Sequence, residues 1–230
     1  INDLNPQTTA AFISIEDKNF YNHSGVNYKR MLKALIKNIT SGKVKEGAST
    51  ISQQLIKNTH LSSERTYERK IKEIFLAKEM ERQVSKDDIL ESYLNVIYFG
   101  NNIYGIENAA RFYYSKPASE LNLQESAMLA GIIKSPGSYC PINKPEKCIS
   151  RRNLVLSEMF KDGKISEEEY STAKLSELNL NIDENFNNGQ NSYSQAAIDE
   201  ACKILNLPTK QIALGKYKIY TYQNPDKQNA

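Results

Sequence analysis

The sequence predicts a mostly α fold with one short β piece near its C-terminal end. Three observations carry that expectation. Apolar residues recur at helical spacing through most of the chain, Ser and Asn stand where helices should begin, and only 216–222 (Lys-Tyr-Lys-Ile-Tyr-Thr-Tyr) alternates with β-type residues. The 230 residues are 40% hydrophobic and 25% charged, which suits a globular chain able to bury a sizeable core. No internal repeat or low-complexity tract interrupts it.

The first periodic stretch, 27–39, sets Met31, Leu32, Leu35, Ile36 and Ile39 on one stripe and Arg30, Lys33 and Lys37 on another, and Ser41-Gly42 ends it. Residues 49–58 repeat the pattern with Ile51, Leu55 and Ile56 inward and Gln53, Gln54 and Lys57 elsewhere. A longer helix over 64–82 should bury Tyr67, Ile71, Ile74 and Phe75. Ser85 caps the next one, which runs through Ile89, Leu90, Tyr93 and Leu94. Asn122 with Glu125 opens a helix over 123–134 that Ser135-Pro136-Gly137 stops. Further helices are expected over 146–161, 167–174 (Ser166 cap, Glu169 three later) and 192–205.

Thirty basic against 27 acidic residues give a net charge of +3, too balanced for a dedicated nucleic-acid binder. The balance is uneven along the chain: residues 24–60 carry +6 and residues 157–200 carry −7, so the first region should attract anions. No apolar run approaches the ~20 residues that cross a bilayer, and no signal peptide opens the chain. Because the chain starts on Ile1, we expect a segment of a longer protein. With three cysteines, one must stay unpaired within the chain. Cys140 and Cys148 flank a Pro-rich loop and would pair in an oxidising compartment, with free thiols an equal alternative. Two histidines, His23 and His60, offer no zinc spacing with the cysteines.

Chemistry concentrates in three places. Glu16-Asp17 closes the apolar run 10–15, so a carboxylate lies at the edge of a core, partly desolvated and suited to proton transfer. Two plain helix-end charges would look the same. Gly47-Ala48-Ser49-Thr50 leads into a helix carrying Gln53, Gln54 and Lys57, which makes a hydroxyl-rich helix N-terminus beside a cation. That suits phosphate or pyrophosphate, although an ordinary capped helix has the same pattern and the P-loop order is missing. Arg69 and Glu73 share a helix face with Lys70 and Lys72 beside them. On a surface such a pair is worth only about 0.3–0.5 kcal/mol, whereas in a cleft it could grip a diphosphate.

The joint order of these blocks resembles the peptidoglycan glycosyltransferase (transglycosylase) family of class A penicillin-binding proteins. Five motifs occur in register: Glu16-Asp17-x-x-Phe20-x-x-His23-x-Gly25; Gly47-Ala48-Ser49-Thr50-Ile51-x-Gln53-Gln54-x-x-Lys57-Asn58; Arg69-Lys70-x-x-Glu73; Lys86-x-x-Ile89-Leu90-Glu91-x-Tyr93-Leu94-Asn95; and Arg151-Arg152-x-x-Val155-Leu156. Tyr98-Phe99-Gly100, Tyr104-Gly105-Ile106 and the tail Lys218-Ile219-Tyr220-Thr221-Tyr222-Gln223-Asn224-Pro225 are also similar to the family. Ser171-x-x-Lys174 spells an acylation motif, but no Ser-x-Asn or Lys-Thr-Gly follows, so it is coincidental.

The resemblance implies a lysozyme-like fold with a helical head and a smaller membrane-facing jaw near 26–46. It implies a glycosyltransferase domain over 1–175, with 176–230 leading towards a transpeptidase domain outside this chain. The implied reaction polymerises lipid II, a disaccharide-pentapeptide on a polyprenyl diphosphate, into β-1,4-linked glycan with inversion. Glu16 is then the catalytic base and Glu73 the second carboxylate of the site. Ser49, Gln54, Lys57, Arg69 and Lys70 line the diphosphate side, and Asp17, Phe20 and His23 shape the first motif. The resemblance is compatible with a divalent cation, Mg or Mn, with Glu73 acting through Arg69, such an ion or a water, and implies no organic cofactor. It also implies moenomycin as an inhibitor. The partners are lipid II, the growing glycan, a membrane surface and the transpeptidase domain, and no nucleic acid. The place is the extracytoplasmic face of a bacterial plasma membrane, with the anchor outside this chain.

Overall fold

The computed structural model describes residues 1–41, 48–61, 66–183, 186, 192–206 and 219. The chain divides into a unit over Ile1–Glu184 and a second over Asn185–Ala230. In the first, the helices are α1 (Pro6–Glu16), α2 (Tyr28–Ser41), α3 (Ile51–His60), α4 (Tyr67–Gln83) and α5 (Lys86–Val96). After them come α6 (Ile106–Tyr114), α7 (Leu123–Ile132), α8 (Pro145–Lys161) and α9 (Glu167–Leu175). The second unit contributes α10 (Ser192–Leu205). The expected mostly α class is what the chain adopts.

Local signals explain the helix starts. Asn122 with Glu125 and Ser166 with Glu169 form reciprocal capping boxes, and the Ser85 hydroxyl accepts from the Asp88 N–H. For α3 the cap is Thr50, boxed with Gln53, so Ser49 lies just outside the helix. Three features were not expected from periodicity. These are α1, whose 10–15 stretch reads only as an apolar run, α6, and a two-stranded antiparallel ribbon, β1 (Tyr98–Gly100) with β2 (Ile103–Tyr104). The anticipated C-terminal strand at 216–222 falls outside the described residues, Ile219 apart.

The core is built around α7, which buries all but one of its ten residues, so neighbours must cover it all round. Helices α1 and α8 pack on it, α9 packs on α8, and α3 packs on α4 and α5. Arg152 of α8 is 1% exposed. Its guanidinium donates to the carbonyl oxygens of Lys174 (3.1 Å) and Ser176 (2.8 Å), tying the end of α9 to the core. The backbone beyond α9 stays with the first unit, because the Asn181 and Asp183 N–H groups donate to the carbonyls of Tyr113 and Phe112. This is why that unit extends past residue 175 to 184. Cys140 and Cys148 are buried free thiols, and burial pushes the Cys148 thiol up to about 12.

One face differs from expectation. On α4, Tyr67, Ile71 and Phe75 are 92%, 67% and 69% exposed, and the buried residues are Glu73 and Ala77. Residues two apart on a helix point about 200° away from each other, so turning Glu73 and Ala77 inward turns Ile71 and Phe75 out. On α2, Leu32 and Ile36 are likewise exposed while Ala34 is buried; the Leu35 and Ile39 side chains lie outside the described residues.

Gly25 joins the first motif to α4. Its φ is +84°, and a Cβ there would sit 2.8 Å from the Ala77 backbone, so only glycine allows this approach. Its carbonyl accepts from the Thr50 hydroxyl at 2.7 Å, fixing the same turn to the start of α3.

Arg152→Met should leave buried carbonyls at the end of α9 unpaired. We expect a loss of about 3 kcal/mol, read in a thermal melt as a drop of roughly 6–12 °C.

Candidate active site

The C-terminus of α1 delivers Glu16 and Asp17 to the wall of a cleft of about 880 Å³. The same cleft is lined by Ser49, Gln53, Gln54 and Lys57 of the α3 region, by Glu73 of α4, and by Lys29, Arg30 and Lys33 of α2. Ile133, Lys134, Arg151, Leu154 and Glu158, from around α7 and α8, complete the lining. Seven cationic side chains (Lys18, Lys29, Arg30, Lys33, Lys57, Lys134, Arg151) face four carboxylates (Glu16, Asp17, Glu73, Glu158) in it. An excess of positive charge in a concave site concentrates anions.

Adjacent in sequence, Glu16 and Asp17 have different surroundings. Glu16 Oε2 accepts from Gln54 Nε2 at 2.8 Å, and its other oxygen has no partner among the described residues. The Gln54 carbonyl in turn accepts from the Tyr93 hydroxyl at 3.3 Å. Burial first, then the charges of Glu16 and Asp17, push the Tyr93 pKa well up, so its hydroxyl stays a donor. Asp17 is 1% exposed. Its Oδ2 accepts from His23 Nε2 (2.8 Å) and from the Ile51 N–H at the start of α3 (3.1 Å), and Arg30 lies 3.8 Å from Oδ1. Arg30 also donates to the Glu16 carbonyl oxygen. Asp17 is therefore a fixed joint, and Glu16 is the carboxylate with a free oxygen at the cleft.

Glu73 is sealed. Its Oε2 accepts from Arg69 at 3.0 Å, and its Oε1 accepts from Gln53 at 3.1 Å and from Lys70. Lys70 also donates to the Ser49 hydroxyl at 3.0 Å. Lys57 is different: it is exposed and makes no hydrogen bond or ion pair among the described residues. The net result is a compensated Arg69–Lys70–Glu73 cluster in a cleft that also holds the free ammonium group of Lys57.

Of the residues singled out in the sequence, Glu16, Asp17, Ser49, Gln54, Lys57 and Glu73 line one cleft. Arg69 and Lys70 stand behind its wall and act on Glu73. Phe20 is fully buried, its ring edge-on to Tyr21 and His23, and the His23 ring is turned to Asp17. Arg30, Tyr93 and Lys134 went unnoticed as site groups: Arg30 showed only as a basic stripe, Tyr93 only as a buried face, and Lys134 gave no separate signal. Gln53 showed only as one of the paired glutamines of α3, not as the partner of Glu73. Among the described residues no three His, Cys, Asp or Glu side chains gather as metal ligands. With both oxygens engaged by cationic and amide donors, Glu73 is a poor ligand for a resident cation.

A family model described as Transglycosylase matches residues 1–160. Penicillin-binding protein 1F of Bacillus subtilis is 40% identical over 220 residues, 95% of this chain and 31% of that protein. Penicillin-binding protein 1A of Pseudomonas aeruginosa is 46% identical over 169 residues, covering 74% of this chain and 21% of the relative. Penicillin-binding protein 1A of Escherichia coli is 41% identical over 181 residues, or 79% and 21%. The crystal structure of Penicillin-Binding Protein 1A from Haemophilus influenzae overlaps 68% of this chain at a TM-score of 0.42 and 27% identity. The chain thus spans less than a third of the length of these curated relatives. With a family model over residues 1–160 and relatives at 40% identity or more, the chain belongs to the transglycosylase family, the transglycosylase domain of class A penicillin-binding proteins.

Proposed function

We propose that this domain polymerises lipid II, with Glu16 as the base. The observation that carries the reading is that one oxygen of Glu16 is held by Gln54 while the other is free, in the same cleft as the unpaired Lys57. An inverting displacement needs a base on the attacking side and positive charge on the leaving side. Glu16 takes the proton of the acceptor sugar 4-hydroxyl as that oxygen attacks C1 of the donor. The bond from C1 to the α-linked diphosphate breaks, and the β-1,4 bond forms.

Lys57 meets the charge that develops on the departing diphosphate, in a cleft that Ser49 and the basic residues of α2 also line. Arg69 and Lys70 hold Glu73, which orders this side through Gln53 and Ser49. A divalent cation belongs to this reading only as a companion of the substrate's diphosphate, because Glu73 has no free oxygen to offer it.

A lysozyme-like hydrolase is the second reading, and a catalytically inert membrane-surface scaffold the third. A hydrolase acting through two carboxylates needs the second one available to substrate or water, which the sealing of Glu73 disfavours. Lipid II separates the three. Wild-type domain should lengthen glycan; shortening of preformed glycan would indicate hydrolysis, and no reaction would indicate a scaffold. Glu16→Gln should lower the polymerisation rate by about 10²–10⁴-fold with an unchanged melt. Equal polymer yield from that variant would remove Glu16 as the base. Lys57→Met should lower kcat by about 10²-fold, and full activity from a folded variant would remove its role. Moenomycin should compete with lipid II for the cleft.

The substrate's lipid tail requires the cleft to lie near a membrane. What supports this is α2, which turns Lys29, Arg30 and Lys33 to the cleft and exposes Tyr28, Leu32 and Ile36. The exposed row of α4 adds to that surface, with Lys78 of α4 lying 6.0 Å from the Tyr28 ring centre. No described helix is long and apolar enough to span a bilayer, so this contact would be interfacial. The transpeptidase partner and the extracytoplasmic location complete the proposal. Leu32→Ser and Phe75→Ser should each weaken binding to vesicles containing an anionic phospholipid by roughly tenfold. Unchanged co-sedimentation of the double variant would refute the contact.

A further inference from the structure

Behind the cleft wall lies a buried charged cluster that the proposed chemistry does not use. Glu81 of α4 has a side chain only 3% exposed, and both its oxygens are engaged. Oε1 accepts from the Ser52 hydroxyl of α3, and Oε2 pairs with Lys86, the first residue of α5, at 2.6 Å. Lys86 Nζ lies 3.4 Å from His23 Nδ1 and 4.5 Å from the centre of the Phe20 ring. On the far side of the imidazole, His23 Nε2 is 2.8 Å from Asp17 Oδ2. The charged groups facing this histidine are Asp17, Glu81 and Lys86, with Arg30 reaching it only through Asp17.

This arrangement dictates where the imidazole keeps its proton. An ammonium group can only donate, so Nδ1 beside Lys86 must accept. Glu81 Oε1, at 3.7 Å from Nδ1, is farther away and already occupied by Ser52. The neutral ring then carries its hydrogen on Nε2 and donates it to Asp17. Asp17 stays an ionised acceptor for both that N–H and the Ile51 amide, which sets the start of α3 and hence Gln54 against Glu16.

We propose that the Glu81–Lys86 pair is a tautomer clamp: it fixes His23 as the Nε2–H form and thereby positions Glu16 through Asp17 and α3. Glu81 and Lys86 are positioning residues and do not meet substrate. The effect on rate rests on Glu16 being the base; the tautomer itself does not.

The test is ¹⁵N-histidine NMR on the 230-residue chain, whose two histidines can be told apart with His60→Asn, alongside lipid II kinetics. Wild type should show the Nε2–H signature at His23. In Lys86→Met and Glu81→Gln that signature should weaken or reverse, and kcat should fall about tenfold at unchanged KM. Lys86→Arg keeps the donor and should restore both. An Nδ1–H tautomer in wild type overturns the clamp, and so does a signature that survives both variants. A changed tautomer with unchanged kcat overturns the positioning role. Should one of Lys86→Met and Glu81→Gln fail to fold, the other decides the matter, and an unchanged Nε2–H signature in it overturns the clamp. If Glu16→Gln proves fully active, the reading of the base fails while the tautomer result stands.

Discussion

The site depends on one buried carboxylate that is not proposed to react. Asp17 ends the first helix with its side chain sealed from solvent and accepts from both the His23 imidazole and the first amide of α3. A carboxylate at a helix N-terminus satisfies an orphan N–H and meets the positive end of the helix dipole. Because that bond joins two helices far apart in sequence, it also sets Glu16, the neighbour of Asp17, against Gln54 in the first turn of α3. The glycine at position 25, pressed against the backbone of α4, adds the third helix to the same joint.

From this joint the charges separate into two kinds. Asp17, Glu73 and Glu81 are buried, and each is compensated by several donors, as buried anions must be. Glu16 and Lys57 keep an uncommitted oxygen and an uncommitted ammonium at the cleft. Compensated charges give the walls rigidity, and the uncompensated ones are left for a ligand. The motif that reads Arg-Lys-x-x-Glu is therefore a self-contained ion cluster whose influence on the cleft passes through Gln53 and Ser49.

The outer surface follows from the same geometry. To bring Glu73 inward against α3, α4 must expose Tyr67, Ile71 and Phe75, and α2 leaves Leu32 and Ile36 uncovered while its lysines turn to the cleft. Apolar rows of this length on two helices of one unit are what an interfacial contact would use. A polar requirement inside thus produces an apolar surface outside.

The helical class, the capped starts at Ser85, Asn122 and Ser166, and the family were legible from the residues alone, because those depend on local hydrogen bonding and on motifs kept in order along the chain. The sequence named Glu16, Gln54 and Lys57 as neighbours in function. It could not say that Asp17 is a joint while Glu16 is open, since adjacent carboxylates differ only in what folds around them. Nor could periodicity find the inward face of α4, where charge pairing outweighed hydrophobic pattern, or the cluster of His23, Glu81 and Lys86, whose members come from three separate segments. Those features were decided by tertiary structure, because burial and the partners of a charge belong to the packed chain.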